Sequence, residues 1–169
     1  VMRFPTGSGT GAAAQHSQSL EAWLGHVPGL KVIQPATPHD AKGMLLAAIA
    51  DPDPVMIFEH KLLYKMKGPV PEGHYTVPIG KAEVRRTSTA PAGQRVAILA
   101  FGSMVAPAMA AAERLDASVV NMRFVKPLDV ACVLEMARTH DYVVTVEEGC
   151  VMGGAGSACL EALAAAGVA

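Results

Sequence analysis

Residues 96–146 decide the fold of this chain and read VAILAFGSMVAPAMAAAERLDASVVNMRFVKPLDVACVLEMARTHDYVVTV. Three apolar runs rich in valine alternate there with two segments of about ten residues whose apolar side chains recur at helical spacing. Strands that alternate with helices of this length form βαβ units with a mostly parallel sheet. We therefore predict an α/β lobe with alternating strands and helices over residues 96–101, 106–115, 118–122, 130–139, 142–146 and 155–166.

The first part of the chain carries a second α/β pattern. Short apolar runs at residues 30–33 and 55–58 are bounded by prolines and predict buried strands. Between them Thr37, Pro38 and Asp40 form a helix start, because threonine caps, proline fits the first turn and the acidic side chain suits a capping box. A short helix is predicted at 19–24. A strand at 1–4 is expected to begin before the first residue, so we expect a truncated lobe.

A stretch rich in proline and glycine separates the two patterns. It runs from about residue 65 to residue 95 and interrupts the apolar periodicity on both sides. We therefore predict a first lobe at 1–64, a linker at 65–95 and a second lobe at 96–169.

Composition excludes several classes of protein. Fourteen lysines and arginines against fifteen aspartates and glutamates leave a net charge of −1, and the basic residues are scattered, so nucleic acid is not an expected partner. No apolar run approaches the roughly 20 residues that span a bilayer, so no membrane is expected either. The three cysteines lack CxxC spacing, which indicates a reducing compartment and predicts a cytoplasmic protein.

Four features have residue types suited to chemistry. The glycine-containing segments 7–11 and 153–156 each follow a predicted strand, where free backbone amides suit an anion. The alternative is a flexible loop for 7–11 and close packing of the helix on the sheet for 153–156. Glu147 and Glu148 alternate in direction, so we interpret them as a solvated strand end. His16 stands between two glutamines just before a helix and is the best candidate for proton transfer near neutral pH.

The first lobe resembles a known enzyme family over about half of the chain. The segments that carry the resemblance are QHSQSLEAW (15–23), HVPGLKV (26–32), DAKG (40–43), DPDP (51–54) and FEHKLLY (58–64). They are similar to the beta chain of thiamine-diphosphate-dependent 2-oxoacid dehydrogenases, such as the pyruvate dehydrogenase beta chain. The resemblance implies part of a pyrimidine-binding domain, a catalytic role for His16 and a possible potassium site at Ala48, Asp51 and Asp53. It identifies no cofactor-binding residue, because the family's activating glutamate lies upstream of the segments that match.

The second lobe resembles a different family. The segments VAILAFGS (96–103), VNMRFVKPLD (120–129), VTVEE (144–148) and MGGAGS (152–157) are similar to the C-terminal domain of 1-deoxy-D-xylulose-5-phosphate synthase. Both families are transketolase-like and use thiamine diphosphate with magnesium. They differ in whether a lipoyl group or glyceraldehyde 3-phosphate accepts the two-carbon unit.

These resemblances imply an inactive portion of a larger enzyme. We rank a dehydrogenase beta chain first, because the synthase is expected to have an arginine-rich segment where FEHK (58–61) stands. Its partners would be the dehydrogenase alpha chain and the lipoyl acyltransferase core. The alternatives are 1-deoxy-D-xylulose-5-phosphate synthase, as a homodimer, and a non-catalytic interaction module.

Overall fold

The computed structural model describes residues 1–168 as two four-stranded sheets flanked by helices. The strands are β1 (Met2–Thr6), β2 (Lys31–Ile33), β3 (Val55–His60), β4 (Glu83–Arg86), β5 (Val96–Ala100), β6 (Ser118–Asn121), β7 (Phe124–Lys126) and β8 (Tyr142–Val146). The helices are α1 (Ala13–His16), α2 (Glu21–Gly25), α3 (Pro38–Ala50), α4 (Val105–Leu115), α5 (Val130–Thr139) and α6 (Ala155–Ala165), with 3₁₀ turns at Ser8–Thr10, Lys61–Lys65 and Gly102–Met104. The predicted α/β class is confirmed.

The first sheet has the strand order β1-β3-β2-β7. Strand β3 lies between β1 and β2 and is parallel to both, so these three strands end at the same edge of the sheet. Helix α3 connects β2 to β3 and begins as predicted, with the Asp40 amide donating to the Thr37 hydroxyl over 3.1 Å.

The second sheet has the strand order β4-β6-β5-β8. Strand β5 is parallel to β6 and to β8, whereas β4 is antiparallel to β6 at one edge. Helices α4 and α5 make the crossovers from β5 to β6 and on to β8. The carboxyl ends of β5 and β8 therefore meet, which brings the 3₁₀ turn after β5 close to the glutamates after β8.

One apolar core joins the two lobes. Val32, Met56 and Phe58 of the first sheet belong to the same buried cluster as Leu99 and Val120 of the second. Strand β7 follows β6 in sequence yet pairs antiparallel with β2, so a segment of the second lobe completes the first sheet. The lobes are therefore held together by both packing and backbone hydrogen bonds.

Two strands were missed by the sequence prediction. Strand β4 lies inside the stretch predicted to be a linker, and its register with β6 shifts between Val84 and Arg86. Its single apolar residue, Val84, is half exposed, which is typical of an edge strand with a weak apolar signal. Strand β7 has only three residues. The predicted lobe boundaries themselves stay predictions.

Membrane insertion through a helix has no support in the part of the chain that the structure describes. None of its helices is both long enough and apolar enough to cross a bilayer.

Candidate active site

The carboxyl ends of the strands converge where the lobes meet, and a histidine and a glutamate face each other there. His60 ends β3 and Glu148 follows β8; their Nε2 and Oε2 atoms are 2.6 Å apart. The Leu62 amide donates to His60 Nδ1 over 3.3 Å, which leaves Nε2 facing the Glu148 carboxylate. The imidazole is thus held between a backbone amide of its own lobe and a carboxylate of the other.

Glu148 also receives hydrogen bonds from two serines. The Ser8 amide and hydroxyl donate to Oε1 over 2.8 Å and 3.1 Å, and the Ser103 hydroxyl donates to Oε2 over 2.9 Å. Burial alone would raise the pKa of Glu148. The hydrogen bonds from Ser8 and Ser103 and the nearby imidazole of His60 together outweigh burial, so the pKa lies below its ordinary value. Glu148 is therefore a carboxylate that stays ionised at neutral pH.

The glycine-containing segment after β1 packs directly on this pair. Gly7 has φ 99°, and a Cβ there would overlap the His60 ring, so only glycine fits. The sequence predicts a flexible loop or an anion cradle for this segment. Its Ser8 amide in fact binds a carboxylate of the chain itself, that of Glu148.

The second glycine turn likewise binds a carboxylate of the chain. Glu147 accepts from the Ala155 and Gly156 amides at the start of α6, over 2.9 Å and 2.8 Å. Carboxylates are stabilised at helix amino-termini because the free amides and the helix dipole both favour negative charge. The interpretation of Glu147 and Glu148 as a solvated strand end is therefore wrong: one caps α6 and the other joins the lobes.

A third carboxylate, Glu21, lies buried beside these two. Its side chain is almost fully inaccessible, with 2% of the residue exposed, and its Oε2 atom has no hydrogen-bond partner among the described residues. The Oε1 atom of Gln34 is also buried without a partner, and both residues line one small cavity at the lobe junction. Burial raises the pKa of Glu21, and the carboxylates of Glu147 and Glu148 add to the rise. Glu21 thus binds a proton more readily than an exposed glutamate does.

His16 lies apart from this buried group. It is the last residue of the one-turn helix α1 and is exposed, in the connection between β1 and α2. The loop that carries it leaves β1 at the edge of the first sheet where His60 ends β3, because β1 and β3 are parallel. Its imidazole has no hydrogen-bond partner among residues 1–168, so its role stays a prediction.

The predicted potassium site is occupied by an ammonium group. Lys31 Nζ lies 2.6 Å from Asp51 Oδ1 and 3.0 Å from Asp53 Oδ2. Ala48, the third residue of the prediction, is buried in α3, and its carbonyl accepts from the Asp51 amide over 3.4 Å. The site stays a prediction, with Lys31 as the competitor for any cation.

A site for the magnesium and diphosphate of thiamine diphosphate was not expected in this chain. Among residues 1–168 there is no group of three or more histidine, cysteine, aspartate or glutamate side chains that could hold a metal ion.

The comparisons with known proteins define the class of protein to which this fold and site belong. Residues 1–67 match the transketolase pyrimidine-binding domain, and residues 80–168 match the transketolase C-terminal domain. The chain therefore belongs to the transketolase family.

Curated relatives sharpen the assignment within the family. The chain is 63% identical over 167 residues to 1-deoxy-D-xylulose-5-phosphate synthase of Ralstonia pickettii, and 52% identical over 156 residues to that of Burkholderia cenocepacia. Each match covers 92% of this chain and 24% of the relative, so the chain spans about a quarter of their length.

Solved structures agree with the family. A protein described as split gene transketolase, inactive beta4 tetramer, is 30% identical with a TM-score of 0.75, covering 88% of this chain and 49% of its own. Transketolase from Leishmania mexicana shares the fold at 22% identity and a TM-score of 0.59, covering 79% of this chain and 20% of its own.

The first-ranked function, a 2-oxoacid dehydrogenase beta chain, is wrong. It depended on short motifs around His16 and on residues 58–61 of one lobe, whereas the synthase relatives match most of the chain. The expected dehydrogenase alpha chain and lipoyl acyltransferase core lose their support with it.

Sequence reasoning also missed the group at the lobe junction. Nothing in the sequence around His60 predicts a role for that residue, and Ser8 lies in a segment predicted to be a flexible loop or an anion cradle. The one available signal was that residues 102–103 and 147–154 follow parallel strands, where sites of such sheets lie. That rule predicts the edge of the sheet at which a site lies, but not which residues of the other lobe contact it.

Proposed function

We propose that this chain is the pyrimidine-binding and C-terminal portion of a 1-deoxy-D-xylulose-5-phosphate synthase, which joins a two-carbon unit from pyruvate to glyceraldehyde 3-phosphate. The observation that carries the proposal is 63% identity to such a synthase in a match that covers 92% of the chain. Because the chain spans 24% of that relative, the activity is proposed for an enzyme in which this portion is complemented by further residues.

The proposal gives His16 the role of moving protons at the substrate. Its imidazole is exposed on a loop that leaves the carboxyl end of β1, and imidazole is the commonest general acid or base in proteins. The family and the synthase relatives imply dependence on thiamine diphosphate. When bound, this cofactor supplies the electron sink for decarboxylation. Its magnesium and diphosphate are assigned to residues outside the described ones. A homodimer and a cytoplasmic location belong to the same proposal.

A chimera tests the proposal. The segment of the Ralstonia pickettii synthase that matches this chain is replaced by residues 1–168, and formation of 1-deoxy-D-xylulose 5-phosphate from pyruvate and glyceraldehyde 3-phosphate is measured. We expect turnover that depends on added thiamine diphosphate and magnesium. A chimera that folds but forms no product contradicts the proposed function.

The role of His16 is tested in the same chimera. His16→Ala removes the proton-transferring group and is expected to lower kcat by about 10²- to 10⁴-fold, the usual loss for a general acid or base. His26→Ala is the matched control, since His26 is also exposed and lies just after α2. Equal losses in the two variants, or no loss in either, would remove His16 from the chemistry.

A second candidate is a non-catalytic chain that assembles with copies of itself. It is favoured by the similarity to the split gene transketolase, which is described as an inactive beta4 tetramer. We expect the purified chain to release no carbon dioxide from pyruvate in the presence of thiamine diphosphate. Light scattering after gel filtration gives its assembly state, and cofactor-dependent release of carbon dioxide would exclude this candidate.

A further inference from the structure

The segment that carries His16 is attached to the rest of the chain in a specific way. It leaves β1 after Thr6, and its base is closed where the Thr6 hydroxyl donates to the Gln18 carbonyl over 2.6 Å. We call residues 7–17 the His16 loop. Inside it, the Ala12 amide donates to the Ser17 hydroxyl over 2.8 Å, and the Gly11 amide to the Ser8 carbonyl over 3.1 Å.

The outward hydrogen bonds of the His16 loop all go to one residue. Among residues 1–168, the only hydrogen bonds that join the loop to the remainder of the chain are those from the Ser8 amide and hydroxyl to Glu148 Oε1. The other close approaches are steric, with Gly7 against the His60 ring and Gly9 against the Leu62 side chain. The polar anchor of the loop therefore comes from the second lobe.

The other Glu148 oxygen is held independently of the loop. His60 Nε2 lies 2.6 Å from Oε2, and the Ser103 hydroxyl donates to the same atom over 2.9 Å. The Ser103 donor and the imidazole contact orient the carboxylate so that Oε1 points at the loop. Hydrogen bonds to a charged acceptor contribute more than neutral ones, so this anchor is strong for a loop contact.

We propose that Glu148 is a positioning residue for His16, holding the His16 loop from the second lobe by way of Ser8. Its importance for turnover rests on the proposed function, whereas its hold on the loop does not. The second lobe thus sets where the exposed imidazole of His16 stands, although it supplies none of that loop's residues.

Hydrogen exchange in the 169-residue chain tests the hold directly. Glu148→Gln keeps the shape of the side chain but places an amide where a carboxylate met three donor groups. We expect exchange of the Ser8, Gly11 and Ala12 amides to become at least about tenfold faster, the factor that corresponds to about 1.4 kcal/mol. Glu147→Gln is the matched control, because Glu147 binds only amides of α6, and it should leave the loop amides within about twofold of the parent.

A second variant keeps the proposal open to contradiction if Glu148→Gln does not fold. Ser8→Ala removes the 3.1 Å hydroxyl contact on an exposed residue and leaves the amide contact in place, so a smaller acceleration of the same amides is expected. Loop amides unchanged in both variants overturn the proposal. So does an equal acceleration in Glu148→Gln and Glu147→Gln, which would mean a general loss of stability.

The chimera described above separates this proposal from the proposed function. In an active chimera, Glu148→Gln should lower kcat at least about tenfold with the KM for pyruvate unchanged, because a misplaced imidazole slows proton transfer without removing a binding contact. An inactive chimera contradicts the proposed function and leaves the exchange result to decide the positioning. A loop that loosens in Glu148→Gln while kcat stays at the parent value overturns the link between Glu148 and His16.

Discussion

Two carboxylates connect the lobes, and they do so in opposite ways. Asp40, near the start of α3, is fully buried and lies 2.8 Å from the Arg123 guanidinium, with the Asn121 amide donating to its other oxygen over 2.7 Å. Glu148 retains 21% side-chain exposure and is bound by an imidazole and by serines. One connection joins a rigid helix to the second sheet, and the other holds an exposed loop.

The difference indicates how stability and function are distributed between the lobes. The Asp40 connection places a charge pair out of water, with the partly exposed Glu83 as a second partner of Arg123. The Glu148 connection involves a loop whose other hydrogen bonds are internal, so we expect it to open locally without unfolding of the core. We therefore expect Asp40 to determine whether the chain folds and Glu148 to determine how its loop is placed.

The largest effect on stability is expected for Asp40→Asn. The variant keeps the shape of the side chain but leaves the buried Arg123 with the partly exposed Glu83, 2.9 Å away, as its remaining carboxylate partner. Leaving a buried charge fully uncompensated costs about 3–5 kcal/mol of unfolding free energy, so with Glu83 in place we expect a loss of up to about 3 kcal/mol. Urea denaturation followed by circular dichroism measures the loss.

An exposed aspartate gives the control for that measurement. Asp53→Asn removes one partner of Lys31 at a side chain that is 57% exposed, and surface pairs contribute at most about 1 kcal/mol. A loss below about 1 kcal/mol for Asp40→Asn as well would mean that the buried pair does not hold the lobes together.

The sequence predicted local features of these connections but not the partners across the lobes. The cap at Thr37 followed from neighbouring residues and is confirmed. The same reasoning assigned the Asp40 carboxylate to a capping box, whereas it binds Arg123, which lies 83 residues away. No local pattern contains that information, because the pairing exists only once β6 and α3 have packed together.

The same limit explains the missed strands and the missed site. Strand β7 pairs with β2 of the other lobe, and β4 is a polar edge strand, so neither has a clear period of its own. The helices and strands of the second lobe were found because their apolar side chains alternate strongly within short windows. His60 and Glu148 were missed because each is ordinary in its own segment and becomes notable only when the strand ends meet.

Glu21 sharpens the comparison, since it is a buried carboxylate without the partners that Asp40 has. Because burial raises its pKa, its contribution to stability is complete below the pKa of the unfolded chain and is lost as pH rises through the folded pKa. Glu21→Gln removes this loss and offers an amide donor near the unpartnered oxygen of Gln34. We expect the variant to be more stable than the parent by about 1 kcal/mol at pH 8.

Unfolding free energies of parent and Glu21→Gln, measured from pH 4 to pH 8, check this expectation. The advantage of the variant should shrink towards acidic pH, where the glutamate of the parent is protonated in both states. A difference that stays constant across this range would show that the variant acts through packing and not through the charge of Glu21.

The smallest effect is expected at the surface group of Lys31, Asp51 and Asp53, far from either connection. Both carboxylate oxygens of Asp51 accept hydrogen bonds from the Lys31 ammonium, which lowers the pKa of Asp51. Added potassium must therefore compete with that ammonium.

If these aspartates and the Ala48 carbonyl form the predicted potassium site, Lys31→Met should create a difference in Tm between potassium and sodium chloride at equal ionic strength. The parent should show a smaller difference. Because exposed ion pairs contribute at most about 1 kcal/mol, we expect a shift of a few degrees at most. Identical Tm values in the two salts for both proteins would remove the potassium site and leave Lys31 as the sole cation of this surface group.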